Sequence, residues 1–299
     1  MSGHDHEHEV PESGGRLAIV IGLNFIITLA EVIGGILSGS LSLLSDALHN
    51  FSDGIAVIIA WIAIRLEQRD RTDRYTFGMK RAQVVAAVIN AGALVAISIF
   101  LFYEAWQRFI DPQPIAGVIM TSVAAIGLVA NVIGTWLLHR GSKQNMNLKA
   151  AYLHLFSDAI SSIGVILGGL AITFYDIFWL DPLLTVLIGL YVLKESLEIL
   201  WHSLKIFLLA SPEDISVDEI RKAILALDGV KGLHHTHLWE VSEHDIKFEA
   251  HVTVEDQLLS QTEPLRQEIE QLLEERFGVN HVLLQLEQEG ASCDTFELA

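Results

Sequence analysis

Six long apolar stretches fill the first 210 residues of the chain and constrain its fold more than any other feature. The hydrocarbon core of a bilayer is about 30 Å thick, so a helix needs about 20 mainly apolar residues to cross it. Stretches of this kind lie near residues 16–38, 41–64, 82–109, 114–139, 148–174 and 178–206. The sequence therefore predicts a polytopic α-helical membrane protein with six transmembrane helices in residues 16–210.

Composition and charge limit the partners that such a chain can have. Hydrophobic residues make up 51% of the 299, which is too many for a soluble protein of this length. The net charge is −18, and residues 211–299 hold 20 Asp and Glu against 6 Lys and Arg, so nucleic acid is not expected as a partner. A single cysteine, Cys293, excludes an internal disulfide and a cysteine cage for a metal, so metal ligands would be His and carboxylates.

Positive charge in the links between spans predicts the orientation. The second and fourth links are basic, whereas the others are poor in Lys and Arg. Basic links stay in the cytoplasm, so both termini are expected there. The basic residues are Arg65, Arg69, Arg71, Arg74, Lys80 and Arg81 in the second link and Arg140, Lys143 and Lys149 in the fourth. Residues 1–15 form a predicted cytoplasmic tail, in which His4, His6 and His8 either capture metal weakly or are simply solvated.

A small soluble domain is predicted for residues 211–290, followed by a tail at 291–299. Ser211 or Ser216 can cap an amphipathic helix, and two alternating segments around SEHD read as a β-hairpin. A second helix and a last strand follow, which gives the order α-β-β-α-β. This order predicts a cytoplasmic α+β domain with helices packed on one sheet.

The same His-x-x-x-Asp phrase occurs in two predicted spans. HNFSD places His49 and Asp53 in the second span, and HLFSD places His154 and Asp158 in the fifth. Residues four apart lie on one face of a helix, so the two helices can offer two imidazoles and two carboxylates to one point between them. Such a set matches the tetrahedral shell of zinc. The alternative is that these groups only form hydrogen bonds between helices.

Other polar residues in the spans are weaker candidates for a role in metal or proton transport. Asp46 lies one turn before His49 and either orients that imidazole or starts the helix near water. Glu31 either takes part in a proton or ion path or joins hydrogen bonds between helices. Hydrogen bonds between helices are the expected role of Asn24, Asn90 and Asn131.

Several phrases resemble the cation diffusion facilitator family. They are GSLSLLSDALHNFSD, RYTFGMKRAQVVAAVINA, NLKAAYLHLFSDAISSIGVI, DPLLTVLIGLYVL and GLHHTHLWEV, and the resemblance runs from about Leu17 to Glu289. It implies a six-helix membrane domain with a metallochaperone-like (ferredoxin-like) cytoplasmic domain, assembled as a homodimer that exports divalent metal against protons. It also implies that His49, Asp53, His154 and Asp158 form a zinc-type site that accepts cadmium or cobalt as well.

The resemblance further implies a metal site in the cytoplasmic domain, formed by His234, His251 and Glu287. Strand alternation places His235 and His237 on one face and His234 on the other, so we do not expect all three in one site. The family's fuller site has two more histidines, at positions that hold Glu263 and Gln285 here. The pair Lys80 and Arg81 resembles the family's charge interlock between subunits, but the position that would supply its acidic partner, near Leu208 or Leu209, is apolar here.

We therefore expect a zinc exporter driven by protons, since protons and metal compete for the same lone pairs on imidazole and carboxylate. No cofactor is expected, and zinc would be both substrate and regulatory ligand. The expected location is a bacterial-type inner membrane, with lipid, divalent metals, protons and a second copy of the chain as partners. The alternatives are a membrane-anchored zinc sensor and an intramembrane metalloenzyme, although a catalytic zinc needs an open coordination position.

Overall fold

The computed structural model of the chain describes residues 12–69, 71–139, 146–242 and 245–290. The predicted metal-binding histidines of the N-terminal tail and Cys293 lie outside these ranges. Two compact units are present: residues up to 60 together with 89–199, and residues 61–88 together with those from 200 onward.

All six apolar stretches are helical, as predicted. The helices are α1 Glu12–Ser38, α2 Leu41–Glu67, α3 Ala82–Ile110, α4 Gly117–Leu138, α5 Met146–Tyr175 and α6 Leu180–Phe207. Among the described residues, α2 to α5 each contain a segment that is long and apolar enough to cross a membrane. The apolar segment of α1, Gly22–Ser38, is shorter, and α6 carries charges that include Lys194 and Glu195.

The α4 and α5 helices approach each other most closely through glycines. A Cβ atom on Gly117 would lie 2.4 Å from Thr173 Oγ1, and one on Gly169 would lie 2.3 Å from Thr121 Oγ1. Larger residues at either glycine would separate the helices, because side-chain atoms already fill the space. Met120 and Val165 are fully buried in the core beside this crossing. The packing sets the position of α5, which carries His154 and Asp158.

The start of α2 is held by a carboxylate from α6. Asp181 is fully buried and accepts hydrogen bonds from the backbone N–H groups of Leu41 and Ser42 and from the hydroxyls of Ser40 and Ser42. A negative group at this end also meets the positive pole of the helix dipole. Arg108 Nη1 lies 3.8 Å from this carboxylate and also donates to the carbonyl of Gly39. Asp181 therefore fixes α6 to the helix that carries His49 and Asp53.

The soluble part has the predicted order α-β-β-α-β. Its elements are α7 Val217–Leu225, β1 Val230–Ser242, β2 Asp245–Val254, α8 Leu259–Phe277 and β3 His281–Gln288. The β1 and β2 strands form an antiparallel hairpin, and β3 joins the free edge of β2 in parallel after the α8 crossover. Of the two predicted caps, Ser216 accepts from the N–H of Glu219, whereas the hydroxyl of Ser211 donates to the carbonyl of Leu238. Phe248, Ile269 and Leu273 are buried between helices and sheet.

Candidate metal centre

The α2 and α5 helices bring their two His-x-x-x-Asp pairs together. Asp53 Oδ2 lies 3.5 Å from His49 Nε2 and 3.3 Å from His154 Nε2. His154 Nε2 in turn lies 3.5 Å from Asp158 Oδ2. The two residues of each pair lie one turn apart on the same helix, so the sequence spacing places them side by side. The packing of α2 against α5 then brings the two pairs together.

These separations match the distances between the ligand atoms of a tetrahedral zinc ion. Ligands about 2.0–2.2 Å from a tetrahedral metal lie about 3.3–3.5 Å from one another. His49, Asp53 and His154 can place one ligand atom each within 4.8 Å of the other two. Among the described residues, the imidazole that Asp158 approaches at this range is that of His154, on its own helix. The group that the geometry brings together is therefore His49, Asp53 and His154, and Asp158 adjoins it through His154.

Burial leaves the polar atoms of this group without other partners. Within the described part of the chain, both ring nitrogens of His49 and one oxygen each of Asp53 and Asp158 are buried and accept or donate no hydrogen bond. Buried polar atoms in native proteins are nearly always satisfied, so buried ligand atoms without hydrogen-bond partners that lie close together suit a site that binds a cation. A cavity of about 400 Å³ reaches His49 and Asp158 and is lined by α2, α5 and α6.

Asp46 does not hold the imidazole of His49 through a hydrogen bond. Asp46 is 3% exposed, and its Oδ1 accepts from Ser161 Oγ on α5 at 3.0 Å. It therefore links the two ligand-bearing helices rather than fixing one ring. Two residues near the site were missed by sequence reasoning: Ser161 and Tyr191, whose ring centre lies 6.4 Å from that of His49. The only local signal for Tyr191 is its partner one turn later, Glu195, which accepts from its hydroxyl at 2.6 Å.

The interhelical role expected for one asparagine is observed. Ser52 Oγ on α2 donates to Asn90 Oδ1 on α3 at 3.0 Å. For Asn131, which is 1% exposed, neither polar side-chain atom has a hydrogen-bond partner among the described residues.

A second cluster lies on the three-stranded sheet. Glu287 Oε1 is 2.8 Å from His251 Nδ1, and Glu287 Oε2 is 3.1 Å from His234 Nε2. His234 and His251 are direct partners across β1 and β2, and Glu287 comes from β3 beside them. One atom from each residue can lie within 4.8 Å of the other two, so the three expected ligands are brought together.

The alternation expected for the histidines of β1 holds only in part: the ring centres of His235 and His237 lie 4.9 Å apart, as expected for one face, but a β-bulge interrupts the alternation. The pairing register shifts between His234 and His237, and His235 has a φ of +50°, in the left-handed region. This β-bulge turns His235 toward β2, so that its ring centre lies 4.8 Å from that of His251, while that of His234 lies 5.2 Å from the same ring. Neighbouring histidines of one strand therefore both reach His251.

The two positions that depart from the family pattern differ in their surroundings. Gln285 donates from Nε2 to Glu287 Oε1 at 2.8 Å and so supports the carboxylate. Glu263, on α8, pairs instead with Arg266 at 2.6 Å.

Within the chain, Lys80 pairs with Asp245, which lies apart from the apolar position near Leu208 and Leu209. Its Nζ donates to Asp245 Oδ2 at 2.6 Å, and Lys247 Nζ lies 2.8 Å from the other oxygen. Burial acts to raise the pKa of Asp245, but the hydrogen bonds from Lys247 and Lys80 outweigh it and hold that pKa below its ordinary value. Asp245 opens β2, so the partner comes from the hairpin of the soluble domain.

Comparison with known proteins covers nearly the whole chain. Residues 17–208 match the family described as the cation efflux transmembrane domain, and residues 212–289 match the cytoplasmic domain of cation efflux proteins. A cadmium, cobalt and zinc/H(+)-K(+) antiporter of Bacillus subtilis is 35% identical over 98% of this chain and 94% of its own. The zinc transporter ZitB of Pectobacterium atrosepticum is 37% identical over 97% of this chain and 90% of its own. The metal cation efflux system protein CzcD of Cupriavidus metallidurans is 36% identical over 100% of this chain and 93% of its own.

Proposed function

Because the chain belongs to the cation efflux family, we propose that it exports zinc from the cytoplasm in exchange for protons, through a site formed by His49, Asp53, His154 and Asp158. The single observation that carries the proposal is the position of Asp53 Oδ2, 3.3 and 3.5 Å from the two imidazoles, at the separations of a tetrahedral zinc shell. The names of the relatives include zinc, cadmium and cobalt, so we extend the proposal to cadmium and cobalt as further substrates.

The chain is a transporter and not an enzyme, because the family and its relatives move metal ions. The metalloenzyme alternative is therefore excluded. In our proposal the metal is cargo, bound from the cytoplasmic side by neutral imidazoles and ionised carboxylates. Protons that arrive from the other side compete for the same lone pairs and release it. No step requires a resident cofactor.

The chain is an integral membrane protein of the cation efflux type. We propose that it lies in a bacterial-type inner membrane with both termini in the cytoplasm, because its most basic link, between α2 and α3, belongs on the cytoplasmic side. We also propose that it works as a homodimer, which the matched cytoplasmic domain supports. His234, His251 and Glu287 would bind regulatory zinc there.

Zinc flux into proteoliposomes with an imposed pH gradient tests the proposal. The unmodified protein should accumulate zinc against its gradient, and Asp53→Ala and Asp158→Ala should reduce uptake to that of protein-free vesicles, because each removes an anionic ligand. Asp111→Ala, at an exposed position in the α3–α4 link, is the matched control and should transport normally. Competition by cadmium, cobalt and manganese ranks the metals. Tight zinc binding without flux would contradict export and favour the sensor alternative.

A further inference from the structure

One buried carboxyl group in the membrane domain has no part in the proposed metal site. Glu31, on α1, is 1% exposed. Its Oε2 accepts from Asn50 Nδ2 on α2 at 3.1 Å, and its Oε1 has no hydrogen-bond partner within the described ranges. A carboxyl group is rarely placed inside a span without a function, because its insertion into the hydrocarbon core of a bilayer is costly.

The free oxygen lies against the backbone of α4. A Cβ atom built on Gly127 would be only 2.8 Å from Glu31 Oε1, so the absence of a side chain at this glycine makes room for the carboxyl group. Asn131 follows Gly127 by one turn and is likewise buried. Glu31 therefore occupies a small polar pocket between α1, α2 and α4, with Asn50 at one carboxyl oxygen and Gly127 at the other.

Among the described residues, the titratable groups that act most strongly on Glu31 are the carboxyls of Asp46 on α2 and Asp158 on α5. The described α4 helix contains no titratable residue between Gly117 and Leu138. Asn50 contributes a neutral amide. An unpaired carboxylate in such a place is far more costly than the neutral acid, so the pocket suits a carboxyl group that carries a proton.

We propose that Glu31 and Asn50 form a proton-binding site, separate from the four metal ligands, that carries one of the protons exchanged for metal. The inference rests on the proposed antiport. Asn50 directly follows His49, so a movement of α2 that exposes the metal ligands to water on the other side also shifts the hydrogen-bond partner of Glu31. In the buried state the proton is bound to Oε1. When the pocket meets water, the O–H bond breaks, the proton passes to water and no other bond changes.

The test compares Glu31→Gln with Glu31→Asp in full-length protein in proteoliposomes. One proton coupled across a gradient of one pH unit contributes about 1.4 kcal/mol, which is about tenfold in the steady-state zinc ratio. Glu31→Gln keeps the shape and the contact with Asn50 but cannot release a proton, so the zinc ratio should fall about tenfold while zinc affinity in detergent stays within about twofold. Glu31→Asp keeps a titratable group and should recover coupling.

Thr28→Val is the matched control, because it removes a buried polar group one turn away on the same helix. It should keep the zinc ratio of the unmodified protein. The inference is overturned if Glu31→Gln keeps the full zinc ratio, if it loses zinc binding together with coupling, or if Thr28→Val has the same defect. Failure of the proposed function gives different results. If the unmodified protein accumulated no zinc, both the proposed antiport and the proton site at Glu31 would be overturned. If Asp158→Ala still transported zinc, only the proposed metal site would be overturned.

Discussion

At both candidate metal sites one carboxylate stands between two imidazoles. Asp53 does so between α2 and α5 with one oxygen, and Glu287 does so on the sheet with both oxygens. In each case the carboxylate comes from a different element than at least one of the imidazoles. Imidazole ligands bind metal in the neutral form, so the carboxylate supplies the negative charge of each site. Loss of this carboxylate should therefore lower the metal affinity of either site more than loss of one imidazole.

Glu287→Gln should remove zinc from the cytoplasmic site while the membrane site remains. An amide oxygen carries no net charge, so we expect the affinity of that site to fall by roughly 10–100-fold or more, the range seen even for residues outside the ligand shell. Calorimetry on full-length protein with Asp53→Ala and Asp158→Ala isolates the cytoplasmic site. Glu289→Gln is the exposed control. An unchanged number of bound zinc ions in Glu287→Gln would contradict the assignment.

Among the helices, the start of α2 depends on a residue 140 positions away in sequence from Leu41. The free N–H groups at the start of a helix usually find a capping side chain in their own chain segment. Here the hydroxyl of Ser40 and the backbone of α2 turn to Asp181 on α6. The helix that bears His49 and Asp53 is therefore anchored at one end by tertiary structure.

Asp181→Asn should destabilise the membrane domain by about 1–3 kcal/mol. The side chain of Asn has one acceptor oxygen and one NH2 group. In the buried site, the NH2 group would therefore face either the N–H of Leu41 or the hydroxyls of the two serines, which are all donors to Asp181. Thermal unfolding in detergent measures the loss. Asp176→Asn, at an exposed position in the α5–α6 link, provides the comparison and should leave the midpoint unchanged. An equal midpoint for both variants would show that the cap is not needed.

In the molecule as a whole, the α2–α3 link belongs to the same compact unit as the soluble domain. Residues 61–88 cluster with those from 200 onward, and Lys80 reaches Asp245, 165 positions later. Because the pKa of Asp245 is lowered, its contribution is fully present above the ordinary value of a free aspartate and is lost as the pH falls through the lowered value. At neutral pH the ion pair is therefore fully formed.

Asp245→Asn should increase the local motion of the α2–α3 link at neutral pH, because Lys80 loses its ion pair. A partly exposed ion pair contributes less than about 1 kcal/mol, so amide hydrogen exchange in residues 71–81 should quicken by up to about fivefold. Asp256→Asn, which alters an exposed aspartate beyond the other end of β2, should leave exchange in this link as it was. Equal exchange rates in all three proteins would mean that Lys80 does not hold the link.

Sequence by itself determined the six helices, the α-β-β-α-β domain and the two His-x-x-x-Asp pairs. These features depend on the length of apolar runs, on alternation and on spacing within one helix, which are local properties. The resemblance to the cation diffusion facilitator family also predicted which residues bind metal. The fold class is confirmed, and the site residues remain predictions.

Only the tertiary structure decided which partners these residues have. It placed Asp53 between two imidazoles, paired Asp46 with Ser161 and Glu31 with Asn50, and brought Lys80 to Asp245. Apart from the contact of Asp53 with His49 on its own helix, these contacts join positions at least 19 residues apart, so they depend on how the elements pack and not on the period of any one helix. The bulge at His235 has the same origin, since strand register depends on the partner strand as well as on the histidines themselves.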